Sequence, residues 1–191
     1  EDVEPRMGAA TAYVLRHSQQ PEAGVAYAYQ LWRRWPDDRY ARRALIAVCM
    51  DPRAPRLQAE PQYVVKTGSA IQLRGDAGLE WFVIEDGPNP SPTRNEFPPD
   101  HRISQALLNK AVGQRVDFDR REREITAIIP APYRRAQECA DSDERLFPDD
   151  AVIRAYRVPT DLPKGAPLKL HFGEGWEDLK RYSEHQRTIG Q

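Results

Sequence analysis

The chain has 191 residues, and although 30% of them are charged, 28 Lys and Arg stand against 29 Asp and Glu. At about 150 residues per domain this length sets one or two domains as the expectation, and the balanced charge excludes the strongly basic surface of a dedicated nucleic-acid binder. Apolar residues at 40% exclude an acidic disordered tail, and the longest apolar run, Ala44 to Met50, is far short of the roughly 18 residues that span a bilayer.

In chain order, the first fifty residues read as three helices. Pro5 suits a first helical turn, where its missing N–H is harmless, and Met7, Ala10, Val14 and His17 then recur at helical spacing up to Gln20. Pro21 restarts the pattern, with Val25, Ala28, Tyr29, Leu31 and Trp32 at three- and four-residue intervals until Pro36 closes it. Asp38 is placed to cap a third helix whose inner face holds Tyr40, Ala44, Leu45, Val48 and Cys49, and Asp51-Pro52 ends it. Short polar turns between helices of this length make antiparallel pairs.

Pro52, Pro55 and Pro61 then mark a stiff linker over 51–62. Tyr63 to Val65 reads as a strand. Ile71 and Leu73 alternate on one face of the next, and Gly75-Asp76-Ala77-Gly78 turns the chain into Glu80 to Ile84, a hairpin. Adjacent Trp81 and Phe82 must face opposite ways, so Trp81 is either a core residue or, if exposed, an anchor for a partner. Asp86 to Asp100 is a long loop with five prolines, and loops of that length are functional or mobile. Ile103 to Val112 is an amphipathic helix with Ile103, Ala106, Leu107 and Val112 inward and Gly113 as its left-handed cap. Arg115 to Phe118 and Glu122 to Ile128 form a second hairpin across a charged turn. That turn's Arg120, Arg121 and Arg123 are most simply solvated and otherwise suited to phosphates or an acidic protein patch.

The fold class expected is α+β: antiparallel helices over 1–51, an antiparallel sheet covered by one helix over 62–130, and an extension over 131–191. In that extension Pro132 to Phe147 reads as helix, Val152 to Val158 and Leu168 to Phe172 as strands, and Trp176 to Ile189 as helix. Trp32 and Trp35 read as buried between helices.

Signals for chemistry are weak. His17, His101, His171 and His185 have no HxH or HxxxH spacing, and the two cysteines, Cys49 and Cys139, lie ninety positions apart. They read as reduced thiols of a cytoplasmic protein, with a long-range disulfide as the alternative. No GxSxG, GxGxxG or P-loop pattern occurs. The expectation is therefore no catalytic residue, no metal and no cofactor. The chain opens on Glu1 without a signal-peptide pattern, from which it is expected to be part of a longer protein.

Two resemblances add to this reading. Tyr27 to Met50, with Trp35-Pro36-Asp37 ending one helix and Ala41 and Ala44 in the next, resembles tetratricopeptide repeats. Gly68 to Leu73, Glu80 to Ile84, Glu124 to Ile128 and above all Ile103-Ser104-Gln105-Ala106-Leu107-Leu108-Asn109-Lys110-Ala111-Val112-Gly113-Gln114-Arg115-Val116 resemble the C-terminal domain of the Gre transcript-cleavage factors, which has an FKBP-like fold. The match covers about a third of the chain with strand–helix–strand order kept. It departs at His101-Arg102, where the family has Ser-Pro, and in the longer, proline-rich loop before them. In Gre factors this domain docks on a coiled-coil rim of RNA polymerase. The resemblance implies a partner-binding surface at His101, Arg102, Ile103, Ser104, Gln105 and Asn109, joined by Trp81 if that ring is exposed. FKBP-like isomerases need an aromatic-lined pocket that the Gre branch does not show, so isomerase activity is not expected. Repeats followed by such a domain also resemble bacterial fusions led by a PIN nuclease, a segment this sequence does not contain.

Gre factors carry paired carboxylates to the polymerase centre on a long coiled coil. Asp37-Asp38 sit at a hairpin tip, but helices of ~15 residues extend only about 22 Å. The expectation is that Asp38 caps a helix and Asp37 is solvated.

Overall fold

The computed structural model describes residues 4–18, 20–50, 63–76, 78–118 and 121–147, all inside one compact unit, Glu1–Ala155. The linker over 51–62, the strands near 152–158 and 168–172, the helix near 176–189, His171 and His185 lie outside the described residues.

Three helices come first: α1 (Pro5–Arg16), α2 (Pro21–Arg34) and α3 (Arg39–Met50). Proline opens α1 and α2. Asp38 caps α3, its Oδ1 accepting from the Tyr40 and Ala41 amides at 2.8 and 3.0 Å. The Met7, Ala10, Val14 stripe of α1 faces solvent, with Met7 62% and Val14 67% exposed. The buried face is instead Gly8, Ala12 and Arg16. Small residues win because they let the backbones approach. A Cβ built on Gly24 of α2 would lie 2.4 Å from the Arg16 amide nitrogen. Gly24→Ala is therefore expected to destabilise the protein by ~1–3 kcal/mol in urea unfolding. Helix propensity alone would give a gain of about 1 kcal/mol, so a stabilised variant would contradict the close crossing.

The sheet has five strands: β1 (Ser69–Gly75), β2 (Gly78–Ile84), β3 (Glu96–Phe97), β4 (Arg115–Phe118) and β5 (Arg121–Pro130), in the order β3-β2-β1-β5-β4. It is mixed, since β3 runs parallel to β2 while the other pairs are antiparallel. The expected strand at Tyr63 to Val65 is a single bridge between Val64 and Ala111. Between Gln72 and Leu73 the register with β5 slips, and Thr126 is the extra residue. Its hydroxyl donates to the Gln72 carbonyl and side-chain oxygens at 3.2 and 2.9 Å, which ties the extra residue to β1.

Helices cover both faces of the sheet. On one face Ile71, Leu73, Phe82, Ile84, Ile125 and Ile128 pack against Ile103 and Leu107 of the short helix α4 (Arg102–Leu107). On the other, Ala70 and Val83 join Trp32, Leu45, Val48, Ala136 and Cys139 of α2, α3 and the last helix, α5 (Ala131–Leu146). Pairing Ala70 with Val83 and Ile71 with Phe82 is what sends alternate residues to these two cores. The N-terminal helices, the sheet and α5 thus share a core. Pro130 ends β5 and α5 starts at the next residue. Arg42 of α3 ties α5 down, donating to the Cys139 carbonyl at 3.2 Å and the Ser142 hydroxyl at 2.5 Å. Trp32 is buried as expected and Trp35 is half-buried. Cys49 and Cys139 are both free thiols.

Candidate interaction surface

The loop over 86–100 is held in place by buried charge. Glu85, at the end of β2, accepts from the Tyr29 hydroxyl at 2.5 Å and from the Gly87 amide at 3.0 Å, and it pairs with Arg33 at 2.7 Å. Arg33 also donates to the Pro88 carbonyl at 2.7 Å. A 3-10 turn (Pro92–Arg94) leads into β3, whose Glu96 is fully buried. That carboxylate accepts from the Ser91 amide at 2.9 Å and pairs with Arg94 at 3.1 Å and Arg135 at 3.2 Å. A loop that composition alone left open is therefore built around two carboxylates and three arginines.

Past β3, His101 is the extended N-cap of α4. Its Nδ1 accepts from the Ile103 amide at 3.3 Å, and its ring stacks on Phe97 with centroids 4.6 Å apart. Gln105 reaches back to donate to the Pro99 carbonyl at 2.6 Å. The helix ends at Leu107, earlier than the pattern to Val112 suggested, because Leu108 is extended and Asn109 turns left-handed at φ 65°. The Asn109 amide then donates to the Val65 carbonyl at 2.9 Å. Gly113 is left-handed at φ 86°, as expected, but it enters the β4–β5 ladder by donating to the Ile125 carbonyl at 2.8 Å.

Of the sequence-predicted residues, His101, Arg102, Gln105 and Asn109 lie on one surface, with Arg102, Gln105 and Asn109 exposed and His101 half-buried. Two corrections follow. Ile103 is 7% exposed and Ser104 is fully buried, so both support the surface from the core. Trp81 sits on the opposite face of the sheet, half-buried beneath the Arg134 guanidinium at 4.7 Å, and does not join the α4 residues.

Sequence reasoning missed an apolar extension of this surface. Val64 faces Ala111 in the bridge, which brings Tyr63 beside Val112, and the three apolar side chains are 73%, 47% and 50% exposed for Tyr63, Val64 and Val112. Lys66 and Lys110 flank them, both exposed. The signal was present in the inward assignment of Val112, which fails once the helix stops at Leu107.

Elsewhere, a polar cleft of about 350 Å³ between the two hairpin tips is lined by Asp76, Glu80, Arg121, Glu122 and Arg123. Its charges are largely matched, since Arg123 pairs with Glu80 and Glu122 pairs with Arg115 at 3.0 Å. Among the described residues no group of His, Cys, Asp and Glu is placed to hold a metal ion, and no helix is long and apolar enough to cross a membrane.

No family model matches the chain, and no curated protein matches it. Among solved structures, it is similar to the transcription elongation factor GreA/GreB from Nitrosomonas europaea, at 12% identity and TM-score 0.33, over 64% of this chain and 94% of that one. It is similar also to GreA factor homolog 1 (Gfh1) of Thermus thermophilus, at 16% identity and TM-score 0.33, over 65% of this chain and 84% of that one. For Gfh1 of Thermus aquaticus the figures are 18% and 0.32, over 65% and 86%. At such scores the assignment of a function rests on the chain's own residues and geometry.

Proposed function

We propose that this chain is a non-catalytic interaction module that docks on bacterial RNA polymerase, in the cytoplasm, through the surface of α4 and the residues after it. The observation that carries the reading is that exposed Arg102, Gln105 and Asn109 are joined, through the Val64–Ala111 bridge and the Asn109 amide on the Val65 carbonyl, to exposed Tyr63 and Val112. Exposed apolar side chains set beside polar ones are what protein partners bury. The surface is built on the stretch whose sequence resembles the Gre C-terminal domain. His101-Arg102 replace the family's Ser-Pro without loss of a cap, since His101 supplies its Nδ1 to the Ile103 amide. Immobilised full chain is expected to retain purified bacterial core polymerase. No retention, with a Gre factor retaining the enzyme alongside, would refute the reading.

A second reading is a scaffold for another protein, within a larger chain, and it has one observation in its favour. A mainly apolar groove of about 210 Å³ runs between α1 and α3, lined by Ala9, Tyr13, Tyr40, Ala44 and Val48. A partner identified by mass spectrometry whose capture is lost on Tyr13→Ser and kept on Arg102→Ala would favour it over polymerase docking.

A further inference from the structure

We propose that Arg135, on α5, is a positioning residue for the docking surface and sets the place of His101 through Glu96 and Phe97. The inference rests on the α4 surface being the docking surface. Arg135 is 4% exposed and its guanidinium is engaged on several sides. It lies 3.2 Å from the Glu96 carboxylate, donates to the Arg94 carbonyl at 2.7 Å and to Glu138 at 2.5 Å, and stands over the Trp32 ring at 5.8 Å.

The strand it holds is short. Strand β3 has two residues and pairs in parallel with β2 at Val83–Glu96 and Ile84–Phe97, and at its ends the Val83 amide donates to the Asn95 carbonyl and the Glu85 amide to the Phe97 carbonyl, both at 2.9 Å. So short an edge pairing does not fix a strand by itself. The buried Glu96 carboxylate adds to that pairing, because the arginines that face it hold it in the interior. Alternation then does the rest. Glu96 points to the helices and Phe97 to the α4 side, where its ring stacks on His101 at 4.6 Å and on Phe82 at 6.1 Å. A guanidinium on one side of the sheet thereby fixes a ring on the other. Without Arg135, Glu96 keeps Arg94 alone, and that arginine is itself on the loop and 31% exposed. The carboxylate then gains by moving toward water, and Phe97 leaves its place under His101.

The test uses the full chain in two measurements. Imidazole ring-proton resonances of His101, read by NMR, report the Phe97 ring above it, and titration into core polymerase reports docking. R135M is expected to move the His101 resonances toward those of the unfolded chain and to weaken binding at least tenfold, at a temperature where circular dichroism shows the fold intact. R42M removes another buried arginine of the α3–α5 contact, one that does not touch the loop, and is expected to leave both readings at wild type. Should R135M fail to fold, R135K keeps a cation beside Glu96 but loses the fork that also holds the Arg94 carbonyl and Glu138, and is expected to move the His101 resonances in the same direction by a smaller amount. Unmoved His101 resonances in the folded variant, or an equal movement in R42M, would overturn the proposal. Failure of the wild-type chain to bind polymerase would instead overturn the docking reading, and the resonances would still decide whether Arg135 places the ring.

Discussion

Arg33→Met is expected to lower the unfolding free energy by about 3–5 kcal/mol in urea denaturation, a large part of the ~5–15 kcal/mol that holds a domain of this size. The reason is the partner left behind. Glu85 is 3% exposed, and Arg33 is the cation facing it at 2.7 Å. The Tyr29 hydroxyl and the Gly87 amide supply two hydrogen bonds to the same carboxylate, but neither supplies a charge. Methionine also abandons the Pro88 carbonyl, which Arg33 holds at 2.7 Å, so the start of the long loop loses its tie to α2. Because the cost lies in the orphaned carboxylate, removing it should restore most of the stability. The Arg33→Met/Glu85→Met double variant, with Tyr29→Phe to remove the hydroxyl left without an acceptor, is expected to lie within about 1–2 kcal/mol of wild type. A loss under ~1 kcal/mol for the single variant, the range of surface pairs, would show that water reaches the pair.

Alkaline pH is expected to remove about 4 kcal/mol of stability between pH 9 and pH 11, each thiol contributing ~1.4 kcal/mol per pH unit over the range in which only the unfolded chain ionises. Burial pushes the Cys49 thiol up to about 12, with Arg16 opposing and Cys139 adding to the rise. Burial likewise pushes Cys139 up to about 11, with Arg42 opposing and Glu138 adding. Raised values in the folded state mean stability that is complete below the unfolded thiol's ordinary range. That stability is lost as pH climbs through the range up to the folded values. Tyr29 acts in the same direction at higher pH, since burial and then the neighbouring Glu85 carboxylate raise its hydroxyl. The measurement is urea unfolding at a series of pH values, with Cys49→Ala/Cys139→Ala as the comparison. The double variant should be flat up to about pH 9.5, where tyrosine ionisation begins. A wild-type protein equally flat would show that the α3–α5 contact opens to solvent.

Local pattern made part of this molecule legible. The Gly75–Gly78 turn, the alternation of Ile71 and Leu73, the Asp38 cap and the inward faces of Ile103 and Leu107 all follow from neighbours within a few residues, and all are present. What failed depended on distant partners. The buried face of α1 is not legible in the spacing of Met7, Ala10 and Val14, because Gly8, Ala12 and Gly24 make its contact and small residues carry no hydrophobic signal. Strand β3 was hidden because two residues have no period, and its place is set by Arg135, which lies 39 positions beyond Glu96 in the chain. The direction of Trp81 was open because the sheet has a core on each side, so neither face of β2 is the solvent face. For the candidate surface, the polar residues from His101 to Asn109 were legible. The apolar share, Tyr63 and Val64, was not, since only the bridge to Ala111 brings them to α4.

The central claim is tested most directly by competition at the polymerase. The 191-residue chain, titrated into bacterial core polymerase carrying a fluorescently labelled Gre factor, is expected to displace the label. The Arg102→Ala/Gln105→Ala/Asn109→Gly variant, in which glycine keeps the left-handed backbone at 109, should need at least ten times the concentration, a difference of about 1.4 kcal/mol. No displacement, or displacement by the variant at the wild-type concentration, would contradict the account.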